Sequence, residues 1–240
     1  MSYLRVLRVP RVLRVPRFLL ATTAACGLLA GCDGGHAPDR GAVDALRTAQ
    51  QKVAAAGSAR VEATMDTGDR LASHSAGTLS WSDGVRGTLT VRVTGGDMAA
   101  STRALGGDPS QTRFLPDAYY TRMTDTFADS QSGRHWIRHP YDAGSDLSPA
   151  DALRTLVAAK DVRRVGEETV RGTRTGHYRG TSGGQHIDVW VDARHLLVRR
   201  TQRSGDFTST VHYRDYGASA AAERPPLRDT VDFEDVARDG

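Results

Sequence analysis

His135 and His139 stand four residues apart, the spacing that would bring two imidazoles together on one helix face and within reach of one metal ion. Pro140 and the surrounding aromatic alternation argue for a strand there instead, where residues four apart lie some 13 Å from one another. No metal ligation is expected of them. Asp232, Glu234 and Asp235 can be drawn as a carboxylate cluster, but in an acidic terminal segment they read as a solvated surface. Ser182-Gly183-Gly184 reads as a turn and not as a nucleophile elbow, and no glycine-rich loop leads into Lys-Ser or Lys-Thr. The chain is therefore expected to be no enzyme, with no catalytic residue, no metal and no cofactor.

The cysteines point elsewhere. Arg5, Arg8, Arg11, Arg14 and Arg17 precede an apolar run from Phe18 to Ala30, and small residues then meet Cys32. That is the order of a secretory signal peptide. Thirteen residues are too few to span a bilayer core of about 30 Å as a helix. Leu28-Leu29-Ala30-Gly31-Cys32 also resembles the bacterial lipobox, in which the cysteine thiol accepts a diacylglyceryl group and cleavage falls on its N-terminal side. The resemblance implies a signal peptide over residues 1–31 and a lipid-attachment site at Cys32. It also implies a partner in the membrane itself, reached through that diacylglyceryl anchor on the extracytoplasmic face.

Removing 31 of the 240 residues leaves 209, one domain with a core of useful size. The five arginines leave with the signal, so 27 of the 32 Lys and Arg remain against 28 acidic residues, a formal charge of about −1. A nucleic-acid partner thereby loses its support, because counterion release needs a standing basic surface. Cys26 leaves too, and with Cys32 alone there is no intrachain disulfide to stand in for a core.

The elements follow from periodicity. Residues 32–40, from Cys32 through Asp33-Gly34-Gly35 to Arg40, read as a flexible tether. Gly41 to Ala56 carries Val43, Leu46 and Val53 on one side and stops at Gly57, an amphipathic helix. Ala59 to Met65 alternates as a strand, Leu79 and Trp81 continue the pattern, and Asp83-Gly84 turns the chain into Val85–Val93. Met98–Leu105 reads as a weaker strand, Phe114–Met123 as another, and His135–Arg138 as a short one before Pro140. Ser148-Pro149-Ala150-Asp151 combines a serine cap, a first-turn proline and a following acid, so a second helix is expected from Pro149 to about Ala159, burying Leu153, Leu156 and Val157. Strands and tight turns then alternate from Val162 to Tyr216, an antiparallel meander. Residues 218–240 read as a mobile or edge-covering tail. Trp81, Trp136 and Trp190 with Tyr119 and Tyr178 supply broad apolar rings for a core or for a lined hollow.

The order of these elements resembles the LolA-like lipoproteins of actinobacteria, the LppX/LprG group. The phrases that carry it are Tyr119-Tyr120, His135-Trp136-Ile137-Arg138, Val165 to Thr173 leading to His177-Tyr178, Val189-Trp190-Val191-Asp192, Leu197-Val198-Arg199-Arg200 and Tyr213-Arg214-Asp215-Tyr216-Gly217. The resemblance spans nearly all of the chain after Cys32 and places the domain at residues 41–217. It implies an α+β fold, a strongly curved antiparallel half-barrel sheet with helices packed on its concave face. It further implies a membrane-anchored lipoprotein that binds or transfers a hydrophobic ligand, an acyl lipid or glycolipid, in the cell envelope. Leu79, Trp81, Val91, Leu153 and Leu156 are the expected lining of the ligand cavity. The alternative is an envelope interaction or sensor lipoprotein on the same scaffold without lipid cargo. No protein partner is named by the residues.

Overall fold

The computed structural model describes residues 39–141 and 148–239. Cys32, the signal segment and most of the tether lie outside the described residues. The described residues open with α1 (Arg40–Ala56) and continue through β1 (Ser58–Thr67), β2 (Ala72–Ser80), β3 (Arg86–Gly95), α2 (Ala99–Gly106), β4 (Ser110–Leu115), β5 (Ala118–Arg122), α3 (Asp125–Ser130) and β6 (Trp136–Pro140). After α4 (Pro149–Val157) come β7 (Arg163–Val170), β8 (Thr173–Ser182), β9 (Gln185–Asp192), β10 (Leu197–Ser204), β11 (Phe207–Arg214), β12 (Thr230–Asp232) and α5 (Phe233–Asp239).

The two long helices form where local signals agree. At α1 the Asp39 carboxylate accepts from the Gly41 and Ala42 amides, and Gly57, in the left-handed region, ends the helix. Its buried face is Ala42, Leu46, Ala49 and Val53, the spacing of one helical stripe. At α4 the Ser148 hydroxyl accepts from the Asp151 amide at 3.0 Å and donates to the Asp151 carboxylate at 2.7 Å, with Pro149 in the first turn. Leu153 and Leu156 are fully buried.

Two expected strands came out differently. Residues 99–106 are helical, because Ala99, Ala100 and Ala104 favour helix over the pleat; Ala99 is buried, and Arg103 donates to the Val93 carbonyl at 2.7 Å. The run 114–123 contains a sharp reversal at Pro116-Asp117, a pair suited to the corner of a tight turn, so it divides between β4 and β5.

All twelve strands join one open sheet in the order β12-β6-β5-β4-β3-β2-β1-β11-β10-β9-β8-β7. Every neighbouring pair is antiparallel except β12 on β6, which is parallel. The sheet is a strongly curved half-barrel whose concave face receives α1 and α4. Glycines let its strands crowd: a Cβ on Gly77 would stand 2.0 Å from the Thr88 carbonyl oxygen, and one on Gly87 would stand 2.1 Å from that of Thr78. Only glycine fits that close crossing of β2 and β3. The segment after β11 lies across β3, β4 and β5, taking hydrogen bonds from Thr88 and Arg113 to the carbonyls of Ala221 and Glu223. Arg224 grips Asp117 through both terminal guanidinium nitrogens, and β12 then covers the β6 edge.

Candidate functional site

Side chains directly opposite each other across a ladder share a face, so the register sorts every strand residue into concave or outer. One concave row runs Tyr213, Val61, Gly77 and Leu89. Over it lie Leu46 and Val53 of α1 with Leu153 and Leu156 of α4, making one core with Val189, Ile187 and Leu197. Burying a leucine completely stabilises the fold by about 1.5–3 kcal/mol. Gly180 makes the socket for α4: a Cβ there would come within 2.8 Å of Leu156 Cδ1.

The neighbouring concave rows are not covered by the described helices. Arg200 pairs with Val211, Val211 with Ala63, Ala63 with Ser75, and Ser75 with Val91, a straight line across five strands. All five are half-buried. Beside them Met65 is 36% exposed, and Ser73 and Ser209 are small. Of these small residues Ser73 lines a surface hollow together with Met65. At the opposite end of the concave face the rings of Phe114, Tyr119, His139 and Phe233 follow one another at 5.9, 4.6 and 5.0 Å. Burial pushes the His139 imidazole below its ordinary value, which keeps this stack uncharged at neutral pH.

The five residues expected to line a cavity divide between these zones. Leu153 and Leu156 are in the centre of the core, and Leu79 and Trp81 pack against it, half-buried. Trp81 donates its indole N–H to the Val53 carbonyl at 2.9 Å, tying β2 to α1. Val91 alone stands on the uncovered row. Five hollows of about 150–520 Å³ open on the surface, and none of them draws its lining from these five residues.

The outer face carries what the sequence did not announce, a tight polar cluster. Asp188, buried, accepts from His177 at 2.6 Å, Arg179 at 2.7 Å and Arg203 at 3.1 Å. His177 stacks on Trp190 at 4.3 Å, and the Arg199 guanidinium lies 3.4 Å above the indole. Both Asp188 oxygens are engaged, so this carboxylate serves as a clamp between β8, β9 and β10. Trp136 also faces outward, beneath Arg113 at 4.5 Å. Neither Trp136 nor Trp190 reaches the concave side.

A second clamp spans the outer face. Arg171, at the β7–β8 turn, holds both oxygens of Glu62 on β1 at 2.7 and 3.0 Å, and His74 adds a third contact at 3.3 Å. Arg171 first, then His74, hold the Glu62 carboxyl at about 2, well below its ordinary 4.5. A carboxyl depressed on folding stabilises the native state above its ordinary value and ceases to do so as pH falls through the folded one. Arg171→Ala should therefore cost about 1 kcal/mol or less at pH 6, given the exposure of both partners. That difference should shrink between pH 4.5 and about 2, as measured by urea unfolding at stepped pH.

The strand expected over His135–Arg138 is shifted to Trp136–Pro140, so His139 lies on it and His135 stands just before it. His135 bonds Asp229 at 2.9 Å and Asp125 at 3.2 Å while His139 joins the aromatic stack. Among the described residues no group of three or more His, Cys, Asp or Glu is arranged to hold a metal. Gly180-Thr181-Ser182-Gly183-Gly184 matches the letters of a nucleophile elbow, but it forms the end of β8 and its hairpin turn into β9, not a strand-to-helix turn. No described helix is long and apolar enough to cross a membrane.

An open, strongly curved sheet with α1 and α4 seated in its concavity is the fold of the actinobacterial LolA-like lipoproteins. LprF from Mycobacterium bovis superposes with a TM-score of 0.52 at 12% identity, over 79% of this chain and 99% of that one. LppX from Mycobacterium tuberculosis does so with a TM-score of 0.52 at 12% identity, over 77% of this chain and all of that one. In sequence, a candidate lipoprotein of Streptomyces coelicolor, SCO4650, is 46% identical over 215 residues, covering 80% of this chain and 75% of that protein. An uncharacterised 31.2 kDa Streptomyces griseus protein from the rplA-rplJ intergenic region is 34% identical over 247 residues, covering 82% and 81%. The chain belongs to the family of these Streptomyces proteins. No family model matches it.

Proposed function

We propose that the protein is a lipoprotein tethered through Cys32 to the extracytoplasmic face of the cell membrane, where its concave face binds a hydrophobic ligand, an acyl lipid or glycolipid. The observation that carries this reading is the uncovered concave row, half-buried and lined by Val211, Ala63, Ser75 and Val91, beside the exposed Met65. A sheet face of this kind offers apolar contact along its length and small side chains that leave space for a chain. Val91 lies in the floor of this row, while Leu79, Trp81, Leu153 and Leu156 belong to the neighbouring packed core.

The test is direct. The mature chain, purified under non-denaturing conditions, should release bound lipid on organic extraction, detected by mass spectrometry. Val91→Arg places a charge in the floor and should reduce fluorescent fatty-acid binding at least tenfold while leaving the fold intact by circular dichroism. A lipid-free extract with no fatty-acid binding would overturn the reading. The packed half of the concave face, where Leu153 and Leu156 are fully buried, favours the second reading, an interaction or sensor lipoprotein without cargo. A clean extract together with capture of an envelope protein would select it.

A further inference from the structure

Arg200 stands on the concave face of β10, flanked in register by Val189 and Val211 and followed on the same face by Gln202. Those neighbours carry no charge. Its Nε is buried and has no hydrogen-bond partner. Among the described residues it makes no ion pair, whereas Arg179 of β8 and Arg199 and Arg203 of β10, on the outer face, all pair with Asp188 or Glu168. The buried Nε has given up hydration without a partner to replace it, a cost that an anion reaching it would offset. The apolar row begins at this residue. From Arg200 to Val91 there are four strand-to-strand steps of about 4.8 Å, hence roughly 19 Å of floor perpendicular to the strands.

We propose that Arg200 binds the anionic group of a single-chain amphiphile, a fatty carboxylate or a monoacyl phosphate, whose hydrocarbon chain lies along Val211, Ala63, Ser75 and Val91. This rests on the hydrophobic-ligand reading above and narrows it to a ligand with a negative head. The planar fork of the guanidinium suits either oxyanion, because both present two oxygens to its paired N–H groups. Arg200 thereby fixes the direction in which the chain enters the row.

The experiment uses the full mature chain with Cys32→Ser, titrated with cis-parinaric acid and separately with its uncharged methyl ester. The acid should bind about tenfold tighter than the ester, the effect of one charge-assisted contact. Arg200→Gln should erase that preference and Arg200→Lys should keep most of it. Arg203→Gln, which removes a cation from the opposite face of β10, should leave the preference unchanged. Displacement by palmitate or by lysophosphatidic acid then tells carboxylate from phosphate; the tighter competitor identifies the head group, and either supports the assignment. Equal binding of acid and ester by the unmutated site, or a preference that survives Arg200→Gln, would overturn the role of Arg200 while leaving the hydrophobic-ligand reading intact. Failure of both probes to bind would instead remove that underlying reading. Thermal melting by circular dichroism confirms that each variant is folded.

Discussion

A chain beginning at residue 32 with serine in place of Cys32 is expected to leave the membrane fraction almost completely, and in the full chain the same change is expected to leave the signal segment uncleaved at that site. The cause is chemical: a hydroxyl cannot become the thioether that carries the two acyl chains. Each buried methylene is worth about 0.8 kcal/mol, so two chains hold a domain at a bilayer essentially permanently and their absence leaves it free. No described helix is long and apolar enough to cross a membrane, and residues 32–240 carry a formal charge of about −1. Fractionation of cells and intact-mass measurement of the product check both parts. Unchanged membrane partitioning and mass would remove Cys32 as the anchor.

Leu156→Ala is expected to be the most damaging single substitution in the core, costing about 3 kcal/mol. For a domain of this length that lowers the melting temperature by about 6–12 °C. Leu156 is fully buried and fits the socket that Gly180 leaves in β8, with α1 packed beside it. Truncation would leave a void that neither the helix nor the sheet can close without moving the other. The same geometry makes a sharper statement. Gly180→Ala alone should destabilise, because its Cβ would press on Leu156 Cδ1 at 2.8 Å. In the Leu156→Ala background it should cost less or restore stability, because the methyl group then occupies the void. A double-mutant cycle by urea unfolding measures the coupling, and strict additivity would rule the socket out.

The outer clamps and the concave row divide the labour of the sheet. Arg171–Glu62 and the Asp188 cluster tie distant strands together on one side. The other side is then free to hold a helix-filled core in one half and an uncovered apolar floor in the next. Sequence reasoning found the inward residues of the core because burial is written in alternation and helical spacing: Leu46, Val53, Leu153 and Leu156 repeat at helix periods, and Val61 and Leu89 lie on alternating strands. It could not find Arg200. Leu197-Val198-Arg199-Arg200 holds two adjacent arginines, and a register shift between Leu197 and Arg199 changes the phase of alternation, sending Arg199 outward over Trp190 and Arg200 inward.

Local chemistry determined what could be read from residues alone. The glycine stop at Gly57, the cap at Ser148, the Asp83-Gly84 turn and the meander after Val162 depend on neighbours within a few positions, so the order and type of most elements follow from the sequence. The composition likewise leaves Cys32 as the one cysteine in residues 32–240. The tertiary structure decided the rest, because pairing between strands far apart in the chain carries no short-range signature. Only the fold brought Arg171 onto Glu62, 109 positions away, and turned Trp136 and Trp190 away from the concavity. It alone separated Val91, on the open floor, from Leu153 and Leu156, which the two helices enclose.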